Sequence, residues 1–157
     1  MTLWGIHNDC PELGLHEGGF VSVGWDRLGD LRRVGTDRES LKAALAVAYA
    51  DAKPRAIPVW AGTLARFAAE IEVGDLVVHP HRPDRTLSFA RVTGGYRFEA
   101  GAKTHRHRRD VDWLLTGVAR SEFPQPALYE LGASITVFRL RNYADEFQAW
   151  LAGAVEL

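Results

Sequence analysis

Between Val59 and Phe98 the spacing of apolar residues changes from a helical period to a strand period, and that change limits what the chain can fold into. Trp60, Leu64, Phe67 and Ile71 recur at i, i+4, i+7 and i+11, so they share one face of a helix running from Val59 to about Ile71. Arg66 and Glu70 are four apart on that helix and placed to pair. Gly74-Asp75 is a turn signal that starts a strand at Leu76–His79. A loop with two prolines follows at 80–85. The strand Thr86–Val92 then returns as a hairpin, and Gly94-Gly95 lets it bend toward Tyr96 and Phe98.

Further strands are expected at Leu3–His7, Phe20–Trp25, Arg109–Leu115 and Ile135–Leu140. Asn8–Gly19 reads as a loop, and Asp26–Asp37 as a loop with one helical turn. Thr36 or Asp37 caps a helix that runs to about Tyr49, with Leu41, Leu45 and Ala48 inward. Lys53–Pro58 breaks it before the helix at Val59. A short helix or turn is expected over Phe123–Leu131 and a closing helix over Tyr143–Leu151. The order β-β-α-α-β-β-β-α-β-α lacks strict βαβ alternation. It predicts one α+β domain over 1–157, a small mixed β-barrel of five to six strands with flanking helices.

No apolar run approaches the length of a membrane span, so no membrane partner is expected. Cys10 is the single cysteine, which excludes an internal disulfide and points to a reducing, cytoplasmic setting. Net charge is −1, so any attraction to phosphate must be local. The segment 103–109 supplies it: Lys103, Arg106, Arg108 and Arg109 carry fixed charge, with His105 and His107 between them. Phosphate contact is its natural use, a solvated loop the competing reading. Arg82, at the hairpin tip, is a second candidate contact. The pairs His79/His81 and His105/His107 hold four nitrogens of zinc-ligating type. They lie in different loops with no carboxylate or cysteine at helpful spacing, so no metal or cofactor is expected. The chain has no Gly-x-Ser-x-Gly, no phosphate-binding Gly-x-x-x-x-Gly-Lys and no His-Glu-x-x-His.

The ordered motifs resemble the EVE branch of the PUA superfamily: Leu3-Trp4, Trp60-Ala61-Gly62, Ala65-Arg66, Gly74-Asp75-Leu76-Val77 and Phe89-Ala90-Arg91-Val92. A closer resemblance is to EVE-like domains that precede Mrr-type nuclease domains in bacterial restriction proteins. It rests on Gly24-Trp25-Asp26-Arg27-Leu28-Gly29-Asp30-Leu31 and on His107-Arg108-Arg109-Asp110-Val111-Asp112-Trp113. The resemblance implies a PUA/EVE-like barrel. It also implies a non-catalytic reader of a modified base in DNA, with a nuclease domain elsewhere in the same protein. Ala61 stands where EVE domains carry an acid.

A methylated or hydroxymethylated base held outside a duplex needs stacking on its faces and hydrogen bonds on its edge. Trp25 and Trp60 are the candidate walls, and both suit a core equally. Asp30 is a candidate acceptor for an exocyclic amino group, or else a helix cap. Tyr96 is a candidate third wall, or a solvent-facing strand residue. Trp4, Trp113 and Trp150 read as packing residues. Two other functions stay open: an RNA- or nucleotide-acting enzyme using His105 or His107, and a protein-interaction module.

Overall fold

The computed structural model describes residues 1–8 and 10–155. Six strands form one mixed sheet: β1 (Leu3–Ile6), β2 (Phe20–Val23), β3 (Leu76–His81), β4 (Thr86–Phe98), β5 (His107–Val118) and β6 (Val137–Arg139). Its order is β2-β5-β4-β3-β1-β6, so β2 and β6 are the two ends and the sheet is not closed. The fold is mixed α+β. β1 runs parallel to β3, and all other neighbours are antiparallel. Helix α1 (Leu15–Gly18) lies between β1 and β2. Next come α2 (Leu31–Val34), α3 (Arg38–Ala48) and α4 (Ala56–Ala65), then α5 (Gln125–Leu131) before β6 and α6 (Ala144–Ala154) after it.

Both faces of the sheet are covered, which explains why β1 to β3 read as nearly continuous apolar runs. Trp4, Ile6, Val23 and Val77 pack on one side with Leu41 and Leu45 of α3 and Leu64 of α4. Leu3, Val78 and Phe89 pack on the other with Leu128 of α5 and Phe147 of α6. The helical stripe is realised: Leu64, Phe67 and Ile71 are buried, and Trp60 packs against the same core. Asp37 caps α3 by accepting from the Ser40 amide at 3.0 Å.

Asp75 ties the two parallel strands together. Its carboxylate, 5% exposed, accepts from the Thr2 amide (3.0 Å), the Trp4 indole (3.0 Å) and the Glu72 amide (2.9 Å). The Leu76 amide donates to the Thr2 carbonyl, and the register then runs Leu3↔Leu76, Trp4↔Val77 and Gly5↔Val78. Gly74 precedes Asp75 at φ +96, a conformation that favours glycine.

Three local expectations are corrected. The break after α3 is shorter than expected: α4 begins at Ala56, not Val59, and holds Pro58 in its first turn, where the missing N–H has no helical partner to lose. Arg66 does not pair with Glu70. It is half-buried beneath β6 and donates to the Val137 carbonyl at 2.8 Å, while Glu70 faces solvent and pairs with Arg38 at 2.9 Å. The last turn of that helix, Arg66–Glu70, is a π-turn closed by Ile71 N–H to the Arg66 carbonyl. Finally, β5 begins at His107, two residues before the strand expected there. No helix among the described residues is long and apolar enough to cross a membrane.

Asp75→Ala leaves a buried indole N–H and two amides unpaired. It should lower stability by about 3 kcal/mol, read as a fall in urea midpoint without loss of the folded baseline. A midpoint within experimental error of the parent would show that the parallel pair does not depend on this carboxylate.

Candidate functional site

The structure brings Trp25 and Trp60 together but does not make a slot of them. Their ring centroids are 6.0 Å apart and the planes are tilted by 54°. A base held between two rings needs about 7 Å face to face, twice the carbon contact distance. Trp60 also packs edge-on against Tyr49 at 5.6 Å, and Arg27 covers the Tyr49 ring. Asp30 is committed elsewhere. It caps α2 through the Arg32 amide (3.0 Å) and holds the Arg32 guanidinium at 2.7 Å, which keeps its carboxyl below the usual range.

Tyr96 is likewise spent, on a buried chain. The His107 Nε2–H donates to the Trp25 carbonyl (3.0 Å), so Nδ1 carries the lone pair and accepts from the Tyr96 hydroxyl (2.6 Å). That hydroxyl oxygen in turn accepts from the Leu31 amide (3.1 Å). Burial pushes the Tyr96 phenol up to about 12. The chain holds Trp25 in a left-handed conformation, φ 64.

The basic segment divides. Lys103 and Arg82 are exposed, and Arg106 and Arg108 are half-buried. His107 and Arg109 point into the core, at 0% and 2% exposure, so neither has a route to phosphate. Arg109 donates to the carbonyls of Gly94 (2.9 Å), Phe67 (3.0 Å) and Ile71 (2.8 Å), where it faces the negative end of the α4 extension. Arg108 lies 4.2 Å above the Phe20 ring and donates to the His105 carbonyl. The segment is pinned by Asp26, whose carboxylate accepts from the Thr104 hydroxyl and from the amides of His105 and Arg106.

A cleft of about 510 Å³ opens elsewhere, past the carboxyl ends of the parallel pair β1 and β3. Asn8 and Cys10 come from the chain after β1, Leu15 and His16 from α1, and His79 and His81 from β3. Its size suits a small planar ligand, and strand carboxyl ends are where open sheets with parallel strands bind ligands. One wall is made of the rings of His16, His79 and His81, and Trp113 packs behind them. Trp113 lies 6.0 Å from His79 and 4.5 Å from His16, and His81 lies within 6.4 Å of both other histidines. The Trp113 indole donates to the Leu15 carbonyl at 2.9 Å, which fastens α1 over the sheet. Gly14 and Gly19, both left-handed, let the chain turn into and out of α1. Arg82 stands on the rim.

Behind Asn8 lies His105, itself left-handed at φ 50. The Asn8 amide nitrogen donates to Ser22 Oγ (2.9 Å), and its oxygen accepts from the Cys10 amide (2.8 Å). His105 Nδ1 meets Ser22 Oγ at 3.1 Å, and its Nε2 lies 3.4 Å from Cys10 Sγ. Sequence reasoning missed Asn8, Cys10 and His16, all in a segment read as a plain loop. His79 and His81 entered it as zinc candidates, and strand alternation does set both on one face. No group of three metal-ligating side chains is arranged to hold an ion among the described residues.

Burial lowers the pKa of His16, His79, His105 and His107 from 6.5, that of His79 to about 4. In the unfolded chain these groups protonate near pH 6.5. Stability is therefore whole above that value and is lost as pH falls toward about 4, because the unfolded state binds protons that the folded state refuses. His79 accounts for about 3 kcal/mol of the loss. Urea melts at about pH 7.5 and about pH 5 should show the lower midpoint at acid pH. A midpoint that rises on acidification would contradict the neutral, buried assignment.

A model of a domain of unknown function, DUF8426, matches residues 7–140. No curated protein and no solved structure matches the chain. The matched span holds the cleft, the Trp25–Trp60 pair and all of β2 to β5. The chain belongs to the DUF8426 family.

Proposed function

We propose that this domain is a nucleic-acid reader that takes a single displaced base, in its modified form, into the cleft between β1, α1 and β3. One observation carries the reading: a base-sized hollow at the carboxyl ends of two parallel strands, with flat rings on one wall and an amide side chain, Asn8, beside it. Arg82 at the rim, with Lys103 exposed on the neighbouring segment, would supply phosphate contacts. Leu15 offers an apolar surface to a methyl-sized modification, as a protein does to the thymine methyl. This differs from a pocket between Trp25 and Trp60, whose rings lie 6.0 Å apart and tilted by 54° rather than parallel.

The resemblance to EVE-like domains before Mrr-type nucleases supports the same reading. It makes this domain the specificity module, with cleavage assigned to a nuclease domain in the same protein. It also supports the finer fold assignment. The bulges between β4 and β5 bend the sheet, and a PUA/EVE-like barrel would be its closed relative.

The experiment is a set of binding isotherms at physiological salt, using duplexes that carry 5-methylcytosine, 5-hydroxymethylcytosine, N6-methyladenine or no modification. One modified duplex should bind at least about ten-fold tighter than the unmodified one. His16→Ala and Asn8→Ala should erase that preference. Trp25→Ala should lower stability and leave the preference in place. Equal affinity for all four duplexes would sink the reader, and loss of preference only in Trp25→Ala would return the pocket to the tryptophans.

A second reading is favoured by one contact. Cys10 Sγ beside His105 Nε2, with Ser22 behind the ring, is the geometry of an activated thiol. It keeps His105 as a candidate base for an enzyme. His107 is unsuited to that role, because both ring nitrogens are engaged in the core. Turnover of an RNA or nucleotide substrate that is lost in Cys10→Ser would favour this reading over the first.

A further inference from the structure

We infer that Cys10 is a thiol-exchange site. Its sulfur, kept nucleophilic by an N–H of His105, takes up one half of a small peptide disulfide of the glutathione class, and the added group occupies the cleft. The site shares that cleft with the nucleobase reading but does not depend on it.

The proton positions follow from Asn8. Its side-chain oxygen accepts from the Cys10 amide at 2.8 Å, which fixes the amide group one way round and makes Nδ2 a donor. Nδ2 donates to Ser22 Oγ at 2.9 Å and lies 3.5 Å from His105 Nδ1. Ser22 Oγ accepts there and keeps its own hydrogen for Nδ1, at 3.1 Å. Two donors thus face Nδ1, so it carries the lone pair. The ring proton sits on Nε2, 3.4 Å from Cys10 Sγ. Burial lowers the His105 pKa, so the ring stays neutral and this arrangement holds near neutral pH.

The chain from Asn8 through Ser22 and His105 therefore ends with an N–H aimed at sulfur. A hydrogen bond donated to sulfur favours its charged form, and the thiolate is the form that attacks. The base of the second reading above needs the opposite tautomer, with the lone pair on Nε2. Cys10 itself is half-buried and lines the cleft, so an incoming molecule can reach it.

His79 points to a ligand in the same cleft independently of the sulfur. It is 2% exposed, and its Nδ1 donates to the Ile6 carbonyl at 2.9 Å, so Nε2 carries the lone pair. Nε2 has no hydrogen-bond partner among the described residues. Unlike the Ser88 hydroxyl, its neighbour across the β3–β4 pair, it is not sealed off, because the residue lines the cleft. An acceptor left open to a cavity is a site for a donor. The hollow of about 510 Å³ has the size of a small-molecule site. A peptide disulfide meets both demands, with amide N–H groups for His79 and a sulfur for Cys10.

The reaction is exchange at sulfur. The Cys10 thiolate attacks one sulfur of the disulfide in line with the S–S bond. A new S–S bond to Cys10 forms as the old one breaks. The departing sulfur leaves with the bonding pair as a thiolate and takes a proton from water. Cys10 is oxidised, the released half is reduced, and no further oxidant takes part. No oxyanion develops, so the cleft needs no donor pair of the kind that acyl transfer requires.

The test begins with alkylation by iodoacetamide at about pH 7, followed by intact mass. Cys10 in the folded parent should react at least about three-fold faster than in the same chain unfolded in urea, where a few per cent of the thiol is ionised. His105→Asn keeps a residue at ease in the left-handed backbone and too short to reach the sulfur, and it should lose that advantage. Nitrogen NMR of the parent should find His105 protonated on Nε2 and not on Nδ1. Glutathione disulfide should then give one mixed disulfide, reversed by dithiothreitol, and the His79 ring resonances should move as it forms. A folded thiol no faster than the unfolded one, or a His105 proton on Nδ1, overturns the inference. So does a mixed disulfide that leaves His79 unmoved, since the added group would then lie outside the cleft. None of these outcomes turns on duplex binding, so the nucleobase reading stands or falls separately.

Discussion

The Asp75 carboxylate is the constraint from which the rest of the molecule follows. A parallel pair between the first strand and a strand some seventy residues later has no hairpin to set its register. Asp75 sets it with three hydrogen bonds, the one from the Trp4 indole fully buried, two of them to β1 and the residue before it. Once Trp4 is docked on Asp75, Ile6 must lie beside His79. The chain then leaves β1 on the same side of the sheet as the end of β3, and the hollow between them is what α1 only partly fills. The cleft is thus a consequence of strand register.

The interior on that side of the sheet is more polar than its composition suggests. A guanidinium, two imidazoles and a phenol lie within or against an aliphatic core, each with at least one hydrogen bond to backbone, and Tyr96 and His107 also bond one another. Buried polar groups of this kind stabilise little in net terms, yet leaving one unmatched is costly. They fix one arrangement of loops around the core: Trp25 through His107, the π-turn through Arg109, and the 104–106 segment through Asp26.

Element order and the inward faces of α3 and α4 were legible because they are local and periodic. Leu41 and Leu45, or Leu64 and Phe67, need only the 3.6-residue repeat. The fate of the basic segment was legible too, but only with the strand begun in the right place. Val111 and Trp113 point to one side, and carrying that alternation back by two and four residues puts Arg109 and His107 inside with them. The nearness of Trp25 to Trp60 could be read from motif order. That their rings meet at a tilt and not as a parallel slot could not, since it depends on the αL turn at Trp25 and on the packing of Tyr49. The cleft was hidden for a different reason. Its residues come from three segments joined by a non-local parallel pairing, and no window of sequence contains them.

The chain has one cysteine, and it lines the cleft. The unaltered sequence therefore carries a unique chemical address at the position of most interest. A thiol-directed fluorophore or spin label would attach beside His105 and Asn8 and nowhere else. Its signal would report whether the hollow is filled, by base, peptide or water alone. A ligand of any class that enters would also shield the thiol, so the rate of labelling is itself a way to search for what this family binds.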